Sequence, residues 1–463
     1  MMRSQLFNFK LNGWLLIGLL LLVRFETSAQ EWTSLFNGKN LNGWEVKGGT
    51  ASYQVVDGAI IGTATTKSDQ NTFLCTKKTY SDFIFEAEVL LPNDLNSGIQ
   101  FRSNTRDNGR VFGYQMEIDP DQRQWTGGIF DEGRRKWIYP LSRNQQASDA
   151  FRMGHWNKVR IECNGNQINT FINGQHCTRL VDDETAEGFF GLQVHRIGSQ
   201  KQEGNVVKWK NLQIITKDVD QYLTKADPTV AEISLLKNQL TTWELDHGFR
   251  LLWDGKTTEG WRGAKLDDFP KSGWVIDNGE LTILQTDGGE STGPGDIVTT
   301  KMYGDFELEL EFKITEGANS GVKYFVDPSL NKGAGSAIGC EFQILDDKNH
   351  PDAKLGVMDN RTLGSLYDLI PAKCLTTPGR SKQFKGIGNW NHCRIVSKNG
   401  KVEHWLNHEK VIEYDRYSQM FEALVNYSKY QKWENFGRWP EGTILLQDHG
   451  NEASFRSIKI REF

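Results

Sequence analysis

Apolar and polar residues alternate with a period of two along much of this chain, and Gly, Asn and Asp interrupt the alternation every few residues. Phe306-Glu-Leu-Glu-Leu-Glu-Phe312 is the clearest such run, with Phe83-Ile-Phe-Glu-Ala-Glu88 as a second. Successive side chains of a strand point to opposite faces, so each run predicts a strand with one face on a core and the other in water. Short strands separated by turn residues predict an all-β protein built from two-sheet jelly-roll sandwiches.

The same order of elements occurs twice. Leu35-Phe-Asn-Gly-Lys39 with Gly43-Trp44 opens one copy, and Leu252-Trp-Asp-Gly-Lys256 with Gly260-Trp261 opens the other. Asn96-Ser97-Gly98 matches Asn319-Ser320-Gly321, and Gly188-Phe-Phe-Gly-Leu-Gln193-Val-His195 is a looser form of Gly442-Thr-Ile-Leu-Leu-Gln447-Asp448-His449. The offset between matched residues grows from 217 (Trp44 to Trp261) to 254 (Gln193 to Gln447), so the second copy carries insertions. The largest of these, around Ser418–Trp439, reads as a loop or short helix over a site. A chain of 463 residues is too long for one core. The reading is two tandem concanavalin-like sandwiches at 31–216 and 246–463, joined by a polar linker at 217–245 whose Val230–Lys237 stretch predicts a short helix.

Before the first copy, Arg3 and Lys10 precede the apolar run Trp14–Val23, and Thr27-Ser28-Ala29 follows. That run is too short to span a bilayer and predicts a signal peptide over 1–29, hence a secreted or periplasmic protein with no membrane attachment after cleavage. Net charge is −5 with both signs interspersed, which argues against nucleic acid as a partner. The six cysteines do not correspond between copies; Cys163 and Cys177 flank a hairpin, but buried free thiols are the favoured reading.

Candidate chemistry gathers on sheet faces. In Gly339-Cys-Glu341-Phe342-Gln343-Ile344, the alternation sends Phe342 and Ile344 to the core and Glu341 and Gln343 to the other side. Lys323, Asn319, Gln447 and His449 are expected on that polar face, with Asp448 in the closing turn. His404 lies on a nearby strand, and the segment from Asp346 to Asp368, including Tyr367, reads as a loop able to close over the face. The first copy offers Gln115, Glu117 and His195, with Arg102 expected nearby and Arg135 in a following turn. A carboxylate on a strand is usually only solvated, and the Asn-Ser-Gly triplets read as turns. Asp347 and Asp352 with Glu341 could ligate a hard cation, but no specific motif indicates a divalent ion, and no cofactor is identified.

Together the repeated openings, the Asn-Ser-Gly strand, Glu341-Phe-Gln-Ile-Leu-Asp-Asp347 with Asn349-His-Pro-Asp-Ala-Lys354, and Leu446-Gln-Asp-His-Gly450 with Phe455-Arg-Ser-Ile458 resemble the 3-keto-disaccharide hydrolase family, also described as 3-keto-glucoside 1,2-lyases and 3-keto-2-hydroxyglucal hydratases. The resemblance is strong in the second copy and looser in the first. It implies an oxidised sugar as partner: a ketone at C3 acidifies the C2 hydrogen, a base removes it, the C1 group leaves, and water adds to the glucal. Such a route needs a base, an enolate stabiliser and an acid. His449 or Glu341 would be the base, Lys323 or a bound cation the stabiliser, and His404 or Tyr367 the acid. Gln343, Asn319, Gln447, Asp448 and Asp346 in the second copy, and Gln115, Glu117, Arg102, Arg135 and His195 in the first, would bind substrate. Two other readings stand beside it: a direct glycoside hydrolase using Glu117 and Asp119, about 7 Å apart by strand rise, and a non-catalytic pair of carbohydrate-binding modules.

Overall fold

The computed structural model describes residues 32–463 apart from 287, 288, 290–293, 332, 334 and 378; the expected signal peptide lies outside the described residues. The strand Phe306–Ile314 shows how the sequence pattern becomes a layer. Phe306, Leu308, Leu310, Phe312 and Ile314 are buried in the second core. Glu307, Glu309 and Glu311 face outward, where Arg461, Lys459 and Arg456 on the neighbouring strand meet them. Burying each large apolar side chain contributes about 1.5–3 kcal/mol, so this single strand commits the sheet to its orientation.

Each copy is a sandwich of two sheets. In the first, the larger sheet runs Gln175–Val181, Gln167–Ile172, Trp156–Asn164, Phe83–Leu90, Val206–Ile215, Ala59–Thr63, Ser52–Val56, and the facing sheet runs Lys136–Tyr139, Ile129–Glu132, Val111–Ile118, Ser97–Thr105, Phe189–Val194, Thr72–Thr76, Trp44–Gly48. In the second, the larger sheet is centred on Phe306–Ile314 between Ala453–Glu462 and Asn391–Lys398, and the facing sheet runs Trp261–Gly263, Ile297–Tyr303, Gly442–Leu446, Asn319–Asp327, Ile338–Leu345. The chain is thus all-β with two tandem jelly-roll sandwiches.

The linker departs from its expected form. Val230–Lys237 does not make a helix: Glu232–Ser234 is a strand that pairs in parallel with Arg179–Val181 at the edge of the first sandwich. Ile233 enters the core while Glu232 on its other side pairs with Arg179, its partner across the ladder, a pattern that fits a sheet edge better than a helical stripe. The short helix falls later, at Thr242–Asp246, where Thr241 and Glu244 form a capping box. Glu244 then pairs with Lys459, and Asn238 accepts from the Ser457 amide at 2.7 Å, both in the second sandwich. Elsewhere Ser142 donates to the His408 carbonyl at 2.9 Å, and Arg380 stacks on Trp125, 4.4 Å from the ring centre. All six cysteines are free and buried. Among the described residues no helix is long and apolar enough to cross a membrane.

Candidate active site

The central strand of each smaller sheet begins with the repeated triplet, and each of its three residues has a separate task. Ser97 and Ser320 donate to the carbonyls of Gln193 and Gln447, at 2.7 and 2.9 Å, which ties the neighbouring strand alongside. A Cβ added at Gly98 would lie 2.4 Å from Gln115 Cδ, and one at Gly321 would lie 2.2 Å from Glu341 Oε1. Glycine there leaves room for a long polar side chain to lie across the strand, so these residues belong to strands and not to the turns expected of them. Asn96 and Asn319 reach the outer face and meet Glu117 and Gln343, at 2.7 and 3.4 Å. Gly321→Ala is therefore expected to leave the fold intact, since the atom in the way ends a flexible side chain. It should displace the Glu341 carboxylate and lower kcat/KM about 10²-fold, the effect of a misplacement near 1 Å; melting curves and kinetics together check it.

On the second sandwich the polar face is as expected. Register sets Lys323 opposite Glu341 and Gly321 opposite Gln343, and Lys323 opposite Leu445 on the other side. Lys323 Nζ lies 3.6 Å from Glu341 Oε2 and donates to Ser336 Oγ at 2.5 Å; Ser336 in turn donates to Asp296. Gln447 continues the same face, and His449 lies just beyond the end of its strand, its ring centre 5.8 Å from that of His350. Burial, and then His449 itself, lower the pKa of His350. Gln343 Oε1 and His449 Nδ1 are buried atoms with no hydrogen-bond partner among the described residues, a costly state that a bound hydroxyl would relieve. Tyr367 closes one side, its amide donating to the Glu341 carbonyl and its hydroxyl to Asp352 at 2.9 Å. Burial, then the Glu341 and Asp352 carboxylates, hold this phenol protonated well above its ordinary range. Lys429, from the inserted segment expected over the site, stands 4.4 Å above the Tyr367 ring. Asp352 is matched by Arg361 at 3.0 Å and Asp347 by Lys382 at 2.7 Å, so neither offers a free carboxylate to a cation.

Three of the second copy's expected site residues lie elsewhere. His404 shares its face with Val402 and Leu406, and that face is the core. It sits between the sheets, its Nδ1 on the Gly364 carbonyl at 3.1 Å and its Nε2 on Tyr324 at 2.8 Å, so it cannot act as the acid. Burial lowers its pKa to about 4, the Gly364 carbonyl opposing. Asp448 turns inward and accepts from the amides of Gly295 and Gly450, both at 2.9 Å. Asp346 likewise accepts from Gly317 N at 2.8 Å and from the Asn349 side chain. Both aspartates are held by loop amides, which turns them away from the role expected of them.

The first sandwich has a cleft of about 500 Å³ on the corresponding face, lined among others by Asn96, Gln115, Glu117, Gln193 and His195. Its walls also include Trp137, Phe130 and Arg123, none of which the sequence reading assigned to a site. Arg123 lies 5.1 Å from the ring centres of both Trp125 and Trp137. Here the carboxylate has moved two residues along the strand. Gln115 occupies the place of Glu341, Glu117 that of Gln343, and Gln100 that of Lys323. Glu117 accepts from Asn96 and from Gln115 Nε2 at 2.6 Å, yet burial raises its pKa to about 7. His195 Nδ1 contacts the Arg196 carbonyl at 2.6 Å, and burial lowers its pKa.

Arg102 and Arg135 do not join this cleft. A bulge after Phe101 puts Arg102 at φ 44°, and its guanidinium turns to the Ser81 carbonyl and Asp82 instead. Phe325 holds the matching position in the second copy at φ 51°. Arg135 is fixed by Asp131 and Asp182 and faces the second sandwich. Asp119 is paired with Arg123, so Glu117 and Asp119 are not the two free carboxylates that direct glycoside hydrolysis would use.

A family model described as a 3-keto-alpha-glucoside-1,2-lyase-like domain matches residues 31–215 and again 248–461. A 3-keto-disaccharide hydrolase of Bacteroides thetaiotaomicron is 35% identical over 238 residues, covering 46% of this chain and 78% of that protein. A crystal structure from Parabacteroides distasonis ATCC 8503, named as a glycosyl hydrolase, is 29% identical over 49% of this chain and 100% of its own, with a TM-score of 0.43. The carbohydrate-binding module CBM66 of Bacillus subtilis is 17% identical over 37% of this chain and 95% of its own, with a TM-score of 0.27. With more than half its length matched in two successive regions, the chain belongs to the family of 3-keto-alpha-glucoside-1,2-lyase-like domains.

Proposed function

We propose that the protein cleaves 3-keto-glycosides, including 3-keto-disaccharides, outside the cytoplasm, by elimination across C1 and C2 followed by hydration. The observation that carries this reading is the Lys323–Glu341 pair, 3.6 Å apart, on a sheet face that Gln447 continues toward His449, whose Nδ1 has no partner among the described residues. An ammonium over the C3 oxygen stabilises the enolate that forms when C2 loses its proton. His449 is the base: its Nδ1 has no partner among the described residues, whereas Glu341 already faces Lys323 and serves to hold it. The C1–O bond then breaks, and the proton taken up by the departing oxygen is assigned to Tyr367. Water adds its oxygen to C1 and a proton returns to C2, giving the free 3-keto sugar.

Hydration is assigned to the first sandwich. Gln100 replaces the lysine at the matching strand position there, while Glu117 with a pKa about 7 suits proton donation and return near neutrality. Glu117→Gln in the full chain is expected to leave release of the C1 group intact and to make the glucal accumulate, which mass spectrometry of the products reads out. An unchanged product ratio removes the division of labour. The same variant should change stability with a definite sign. A carboxyl whose pKa is raised on folding loses stability as pH climbs from 4.5 to about 7. Removing it should stabilise the protein at pH 8 by on the order of 1–3 kcal/mol, as denaturant melts would show.

A further inference from the structure

Between the two sandwiches lies a pocket of about 150 Å³, walled by Lys136 of the first, Leu235 of the linker, and Lys385, Trp390 and Arg456 of the second. Its charges are unbalanced. Arg456 is matched by Glu311 at 2.7 Å and stacks on Trp390, 4.1 Å from the ring centre. Arg135 in the same wall is matched by Asp131 and Asp182, and Arg134 by Asp131. Lys136 and Lys385 have neither an ion pair nor a side-chain hydrogen bond among the described residues. Arg134 adds a buried Nη2 with no partner. Of the five cations around this small space, the three arginines are answered by Glu311, Asp131 and Asp182, which leaves the two lysines unmatched and raised in energy by their neighbours. Burial lowers the pKa of Lys385 to about 8, as a half-buried ammonium short of a counter-charge requires.

We infer that this pocket is an oxyanion site, in which Lys385 and Lys136 hold a sulfate, phosphate or carboxylate group across both sandwiches. The volume accommodates one such group and not a whole disaccharide, so the pocket adjoins the first-sandwich cleft without being the sugar site itself. Arg134 and Lys136 also line the first-sandwich cleft, so the anion could be free in solution or carried on a sugar.

Isothermal titration of the full chain at constant ionic strength tests the site with four probes: sulfate, phosphate, glucuronate and, as the uncharged control, glucose. Saturable binding of an oxyanion with Kd below about 1 mM, over a chloride background, is expected. Lys385→Gln should weaken it at least tenfold, and Lys136→Gln, at the exposed start of a strand where misfolding is not at issue, should do so independently. Stronger binding of glucuronate than of sulfate supports the site and identifies an acidic sugar as its source; the reverse supports it with a free ion. Absence of saturable binding by every anion, or binding unchanged in both variants, overturns the proposal.

Discussion

Replacing His449 and Glu341 together by glutamine is expected to lower kcat/KM for a 3-keto-glucoside by about 10⁴-fold, at the upper end of what one acid–base group contributes. The two single variants should separate their roles. His449→Gln should lose activity that added imidazole partly restores, whereas Glu341→Gln should not respond to imidazole and should lose rate because Lys323 is no longer held beside the enolate oxygen. Far-ultraviolet circular dichroism would show both proteins folded, since both side chains lie on the outer face and not in the core. Retention of parent activity within tenfold by the double variant would sink the assignment.

The second large effect is on stability, and it comes from the histidine that sequence reading placed in the site. His404 is fully buried, and its pKa falls from 6.5 to about 4 on folding. A base with a depressed folded pKa binds fewer protons folded than unfolded between those values, so stability is complete above pH 6.5 and is lost as pH falls through 4. The loss amounts to about 3 kcal/mol, a large part of the 5–15 kcal/mol that typically holds a domain. His392 and His408, stacked with ring centres 4.4 Å apart and also lowered by burial, act in the same direction. The midpoint of denaturant unfolding should therefore drop steeply between pH 6.5 and 4. In His404→Gln the drop should be shallower, at the cost of lower stability at pH 7, with kcat and its pH profile unchanged. A profile that moved with His404 would reinstate it as a catalytic acid.

What could be read from the chain was whatever period-two alternation encodes. It separated Phe342 and Ile344 from Glu341 and Gln343 and set Gln447 and His449 together, because those faces follow from strand geometry alone. The same rule would have placed His404 inside, since Val402 and Leu406 flank it on its own face; the residue type drew attention where the pattern already answered. Other misplacements had no local signal. Arg102 depends on a one-residue bulge, Arg135 on two carboxylates that folding brings up, and Asp448 and Asp346 on backbone amides distant in sequence. Trp137 and Arg123 enter the first cleft, and Lys429 the second face, only through contacts between segments.

The strand Glu232–Ser234 completes a sheet of the first sandwich, and the residues just after it are pinned to the second by Asn238 and Glu244. Anyone dividing the gene to express the halves alone would need the break between residues 234 and 238, which leaves Glu232 beside Arg179 in one half and Glu244 beside Lys459 in the other. Nicking by a protease in that span should leave each severed end on its own half, so that cohesion of the halves then rests on contacts such as Ser142 with His408 and Arg380 with Trp125.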